Sequence, residues 1–272
     1  ELDLYVVFLS SRLHPDGVGS VNDLAGRIGT VAAGAIVGPN PSAANRNAGT
    51  PGANRAAVKL GVDVLVREKF RQLKGRRVGL ITNHTGLDSR GRRTLDLLHE
   101  APDVTLVSLF SPEHGLQGKL DQPNITDTRE EKTDLPVYSL YGESRRPAAE
   151  RLQDIYALVF DIQDIGARFY TYISTMGHAM HAAAEHDLKF VVLDRPNPLG
   201  GELVEGPILD PGLESFVGYH PIAVRHGMTI GELALMFREE LQLDLELEIV
   251  EVENWRRQDY WDRTGLVWTN PS

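Results

Sequence analysis

From Lys59 onward, short apolar runs recur at intervals long enough to hold a helix between them. The runs at residues 78–82, 104–110, 136–140, 157–160, 190–193 and 247–252 are strand-length, with Gly, Pro, Asn or Asp close by. A strand buried on both faces shows no polar alternation, and strands joined by helical crossovers must lie parallel. The pattern predicts an α/β fold, a Rossmann-like, mostly parallel sheet with flanking helices. Between the runs, residues 172–186 set Ile173, Met176, Met180 and Ala183 or Ala184 on one face. Thr229-Ile230-Gly231-Glu232 reads as a capping box ahead of residues 233–241.

The segment before Lys59 differs. Residues 4–9 read as a strand, 14–17 as a turn, and an Ala/Ile/Val-rich stretch as a helix capped by Asn22 or Asp23. Residues 38–57 gather Gly38, Pro39, Pro41, Gly49, Pro51 and Gly52 among Asn, Ala and Ser, a composition that buries little apolar surface and predicts a linker. The expected domains are therefore a remnant at 1–37, a linker at 38–57 and an α/β domain at 58–272. Starting at Glu1 inside a strand-like run, the sequence reads as a piece of something longer.

With 42% hydrophobic residues the chain has the means to build a sizeable core. Its net charge of -10 argues against nucleic acid and anionic membrane as partners, because both are gripped by clustered Lys and Arg. No run reaches the roughly 18–20 apolar residues of a membrane span. The absence of cysteine removes disulfides and thiolate chemistry.

Ligands of open parallel sheets bind beyond the carboxyl ends of the strands, so the residues that follow each run matter most. These are Asn83-His84-Thr85-Gly86, Ser111-Pro112-Glu113-His114-Gly115, Asp161-Ile162-Gln163-Asp164-Ile165-Gly166-Ala167-Arg168 and Asp194-Arg195-Pro196-Asn197. Asp, Asn, Pro and Gly are also ordinary turn residues; what points to a site is the gathering of several titratable loops at one edge. Such carboxylates fit a general acid and an anionic partner flanking a glycosidic bond. They equally fit oxygen ligands for a hard cation from Glu113, Asp161, Asp164 and Asp194, with His84 or His114 added for a transition metal. Gly17-Val18-Gly19 lacks the third glycine of a dinucleotide loop, and His178, His181 and Glu185 read as one helix flank. Trp255, Trp261 and Trp268 offer either a sugar-stacking surface or a packing edge.

Four blocks carry a family likeness: residues 79–86, 110–116, 160–172 and 194–201, beginning Gly79-Leu80-Ile81-Thr82, Phe110-Ser111-Pro112-Glu113, Phe160-Asp161-Ile162-Gln163 and Asp194-Arg195-Pro196-Asn197. Residues 61–272 resemble the NamZ-like exo-β-N-acetylmuramidases. That resemblance implies an exo-acting glycoside hydrolase that releases N-acetylmuramic acid from the non-reducing end of peptidoglycan fragments, outside the cytoplasm and without a cofactor. It implies muramyl sugars as partners, and a C-terminal domain, lacking in this sequence, that completes the cleft. Glu113 is then the expected general acid, and Asp161 or Asp164 the base or nucleophile unless the substrate's acetamido group assists. Arg168 or Arg195 is expected to meet the lactyl carboxylate. Asn83, His84, His114, Gln163, Tyr170, Asp194 and Asn197 are expected to contact sugar. A non-catalytic glycan-binding domain remains the alternative outside enzymes. Residues 4–16 separately resemble the end of a serine β-lactamase-like domain, whose Ser-x-x-Lys nucleophile motif this sequence lacks.

Limited proteolysis checks the domain reading. The first cuts are expected within residues 38–57, and a chain resistant through that stretch contradicts the linker.

Overall fold

A computed structural model describes residues 56–120, 125–142 and 145–271, all within the unit Ala56–Ser272. The expectations for residues 1–37 and for nearly all of the linker lie outside the described residues. In chain order the elements are α1 (Gly61–Arg67), β1 (Arg76–Thr82), α2 (Thr94–His99), β2 (Val104–Ser111), β3 (Thr128–Arg129) and β4 (Pro136–Ser139). Then come β5 (Ala157–Asp161), α3 (Thr171–Glu185), β6 (Lys189–Leu193), β7 (Glu205–Ile208), β8 (Ala223–Arg225), α4 (Ile230–Glu240) and β9 (Leu247–Val250).

Seven strands form one sheet in the order β3-β4-β2-β1-β5-β6-β9, parallel throughout except for the antiparallel edge strand β3. Strand β1 is central: the chain winds outward through β2 and β4, then returns to start again at β5 on the other side. That reversal makes a topological switch point between the carboxyl ends of β1 and β5, where Thr82 lies opposite Asp161.

The apolar runs are continuous because each strand feeds two cores. Ile81, Leu158, Phe160, Phe190 and Val192 point to the face covered by α3 and α4, where they meet Ile173, Met176, Met180, Leu233 and Phe237. Their neighbours Val78, Leu80, Ala157, Val159, Val191 and Leu193 point to the other face, where α1 and α2 contribute Val62, Leu65, Leu95 and Leu98. Helix α4 begins with the capping box anticipated from sequence: Thr229 Oγ1 accepts from Glu232 N at 3.2 Å and Glu232 Oε2 accepts from Thr229 N at 2.9 Å. Strands β3, β7 and β8 were not anticipated, since β3 and β7 are exposed along their length and β8 is three residues long. Among the described residues no helix is long and apolar enough to cross a membrane.

Helix α1 docks on the sheet through its first backbone unit as well as through its apolar side chains. Gly61 N donates to Asp194 O at 2.8 Å, and a Cβ on Gly61 would lie 2.4 Å from both Asp194 N and Val250 O. None of these atoms is the far end of a flexible side chain, so the strain cannot be relieved locally. Gly61→Ala is expected to lower stability by about 3 kcal/mol in urea unfolding. An unchanged midpoint would show that α1 is not docked this way.

Candidate active site

Because β1, β2, β5 and β6 are parallel, the loops that follow them leave the sheet at one edge. The polar groups there divide into those whose bonds are filled by the protein and those left open.

Asp161, at the end of β5, is wholly buried. Arg195 grips it as a fork, with Nε to Oδ1 at 2.6 Å and Nη2 to Oδ2 at 2.9 Å, and Thr94 Oγ1 donates a short hydrogen bond to Oδ2. Both carboxylate oxygens are thus engaged. Arg195 Nη2 also donates to Leu87 O at 2.9 Å, so the guanidinium braces the loop after β1. Asp194 Oδ1 accepts from Arg195 N at 2.9 Å and Gly231 N at 2.8 Å, which makes it an anchor for the start of α4. Burial pushes its carboxyl up to about 6, against the pull of those donors and of Thr229. Asn197 is spent on Met228 O and Leu199 N, both at 2.9 Å. Arg168 Nη1 donates to Pro207 O at 2.8 Å and to Ile222 O at 2.5 Å, tying down the β7–β8 segment. His114, held at a φ of +69°, has its Nδ1 3.1 Å from Leu120 O, which can only accept.

The open groups surround Tyr172, near the start of α3. Half-buried Glu113 accepts from Thr171 Oγ1 at 2.6 Å, which seats its carboxylate at the N-terminal end of α3 rather than on a helix of its own loop. Asp164 Oδ2 accepts from Gly166 N at 2.7 Å, while its buried Oδ1 has no partner among the described residues. Gln163 Nε2 donates to Asp164 O at 2.7 Å and Pro196 O at 3.0 Å, leaving Oε1 buried and unpartnered. Asn83 Oδ1 accepts from Thr85 N at 2.9 Å and Thr85 Oγ1 at 2.6 Å, and its side chain faces the Tyr172 phenol. Buried amides and carboxylates without partners are rare in native folds.

Tyr172 ties these groups together. Burial, reinforced by Tyr170, by Glu113 and by Asp164, raises its phenol well above the ordinary range, while the Asn83 side chain pulls it down. It is therefore a donor, and it hydrogen-bonds Pro271 O. Tyr170 meets it edge-on at 5.2 Å. His84 Nε2 lies 2.6 Å from Asn270 O, so residues 270 and 271 rest against the crevice. Among the described residues no three His, Asp or Glu side chains are grouped so as to hold a metal ion. His178 packs on Phe216 and Tyr219, and Glu185 pairs with Arg146, so that helix flank is structural. Trp261 and Trp268 pack edge to face at 5.0 Å.

Sequence reasoning passed over His226. It is buried, its Nε2 sits 3.3 Å from Asp164 Oδ2, and it follows β8, a strand with no sequence signature. Tyr172 and Thr171 lay within a quoted block but were not singled out.

The family model for exo-beta-N-acetylmuramidase NamZ, N-terminal, matches residues 78–272. The chain belongs to the NamZ family. It is 48% identical over 221 residues to the peptidoglycan beta-N-acetylmuramidase NamZ of Bacillus subtilis, covering 81% of this chain and 53% of that protein. A crystallised DUF1343-family protein of Bacteroides fragilis superposes with a TM-score of 0.75 at 48% identity, over 80% of this chain and 56% of its own. A second from the same organism gives 0.66 at 38% identity, over 76% and 55%. This NamZ-family chain thus spans about half the length of the relatives it matches.

The Asp194 anchor has a pH signature. An unfolded Asp titrates near about 3.9, so below about pH 4 both states hold the proton. Between there and about 6 the native state alone holds it, and this group's contribution to stability falls as pH rises, by up to about 1.4 kcal/mol per unit. Asp194→Asn removes the titration. The stability of the variant relative to wild type is expected to rise from pH 4 to pH 6 in urea titrations, whereas a constant difference contradicts a raised carboxyl.

Proposed function

We propose that this chain is the crevice-bearing half of an exo-acting β-N-acetylmuramidase, with Glu113 as its general acid. One observation carries the reading: Glu113 is half-buried at the switch-point edge, fixed by Thr171 and beside Tyr172, whose phenol also feels Asp164. A sugar alkoxide is a poor leaving group, and a positioned carboxylic acid that protonates the glycosidic oxygen supplies about 10²–10⁴ in rate. Of the two aspartates considered for the second role, Asp164 keeps an oxygen for substrate, whereas Asp161 is consumed by Arg195 and Thr94. Arg195 is spent in the same way, which leaves Arg168, held through Nη1 on Pro207 O and Ile222 O, to meet the lactyl carboxylate with the rest of its guanidinium.

The relatives are nearly twice as long, and residues 270 and 271 lie at the crevice, so a continuing chain would emerge beside the substrate. The second half of the protein then forms the other wall. We place that work outside the cytoplasm, where peptidoglycan lies. Activity that is lost in chelator and regained with a divalent cation would favour the metal-dependent alternative, and activity retained in chelator would count against it.

The test joins this chain to the second half of the Bacillus relative and compares wild type with Glu113→Gln. On a muramyl disaccharide kcat is expected to fall by about 10²–10⁴ with little change in KM. An activated aryl muramide needs less protonation and should lose less. Wild-type rates on both substrates would remove Glu113 from the mechanism. Binding of muramyl sugars with no release by the wild-type fusion would leave a glycan-binding domain.

A further inference from the structure

Sequence reasoning expects His84 to contact sugar, but the structure gives its ring two other neighbours. Asn270 O, 2.6 Å from Nε2, is a carbonyl and can only accept, so Nε2 carries a proton. In a neutral ring Nδ1 is then bare, and it is buried with no partner among the described residues. On that side lies Gly118: a Cβ there would come 2.2 Å from Nδ1 and 2.1 Å from Cε1 of His84. The ring thus occupies the space that a side chain at position 118 would need.

Gly118 belongs to the loop that carries Glu113. Between Pro112 and Leu120 that loop is a run of tight turns. Gly115 N donates to Pro112 O at 3.0 Å, Gly118 N to Gly115 O at 3.2 Å, and Leu120 N to His114 O at 3.1 Å. Glu113 lies inside this run, so the place of Gly118 helps to fix the place of the carboxylate. Thr171 holds Glu113 from α3, and His84 supports its loop from the end of β1. Asn270 precedes Pro271, whose carbonyl accepts from Tyr172. The same ring therefore links the Glu113 loop to the stretch by which a continuing chain would leave the crevice.

We propose that His84 is a positioning residue for Glu113: its ring props the loop of the general acid, and its Nε2–H ties that prop to residue 270. The proposal rests on the muramidase reading for what Glu113 does. It adds a contact through which attachment of the second half bears on the acid. His84 acts through the Glu113 loop and touches no substrate.

The test uses the fusion of this chain to the second half of the Bacillus relative. It measures kcat and KM on a muramyl disaccharide, and hydrogen exchange of the Gly118 and Leu120 amides. In His84→Ala, kcat is expected to fall about 10- to 100-fold with KM unchanged, because an acid displaced by roughly 1 Å loses about that much. The two amides should exchange faster in the same variant. Glu113→Gln removes the acid and leaves the prop, so there their exchange should stay as in wild type. His84→Gln keeps an N–H donor for Asn270 O and should recover part of kcat. Gly118→Ala displaces the ring from the other side. Its backbone strain at φ +65° is present with or without His84 and cancels in a double-mutant cycle. Its loss of kcat should therefore nearly vanish once His84 is alanine. Wild-type kcat in His84→Ala overturns the proposal, as do additive losses for the two substitutions. A loss confined to KM with unchanged exchange overturns it too, and makes His84 a sugar contact. A wild-type fusion that releases no sugar fails the muramidase reading alone; exchange in His84→Ala then decides the prop, and unchanged exchange overturns it.

Discussion

The crevice depends on one buried ion pair. Asp161 and Arg195 join the ends of β5 and β6, and their remaining bonds reach Thr94 on α2 and Leu87 in the loop after β1. Four segments are thereby locked to one another around a single bidentate contact. Burying two charges costs more than their attraction returns unless every lone pair and proton is satisfied. Here both Asp161 oxygens are filled, and removing either partner would strand a charge at a cost of about 3–5 kcal/mol. The pair therefore acts as scaffold, not chemistry.

That scaffold allows neighbouring residues of the same types to be left unsatisfied. Asp161 and Asp164 lie three positions apart in one loop, yet one is closed by an arginine and the other retains an open oxygen. Asp194 is likewise closed, by the backbone at the start of α4. Asp164 and Gln163 each keep a buried side-chain oxygen without a partner among the described residues, while Glu113 is held by Thr171 beside Tyr172. An active site requires such preorganised and unpaired groups, and their desolvation is offset by the two cores on either face of the sheet.

Much of this was legible in the sequence, for physical reasons. Strands β1, β2, β5 and β6 announced themselves because both faces are buried, and the Thr229–Glu232 cap because its bonds are local. The family blocks located the loops that line the crevice. The roles inside those loops were not legible. Asp194 works on Gly231, 37 residues away, and Arg195 on Asp161, 34 residues away, so spacing along the chain could not separate brace from ligand. His226 was hidden because β8 is three residues long and its partner β7 is exposed, which leaves no periodic pattern to read.

In the proposed mechanism the reacting carbon of a muramyl sugar lies between Glu113 and the open face of Asp164. The most direct measurement is a crystal structure of this chain with N-acetylmuramic acid bound. The anomeric oxygen is expected within about 2.6–3.2 Å of a Glu113 carboxylate oxygen, with the sugar ring at the switch point between β1 and β5. Sugar bound at the opposite sheet edge, or in the crevice with its anomeric carbon turned away from Glu113, would contradict the account.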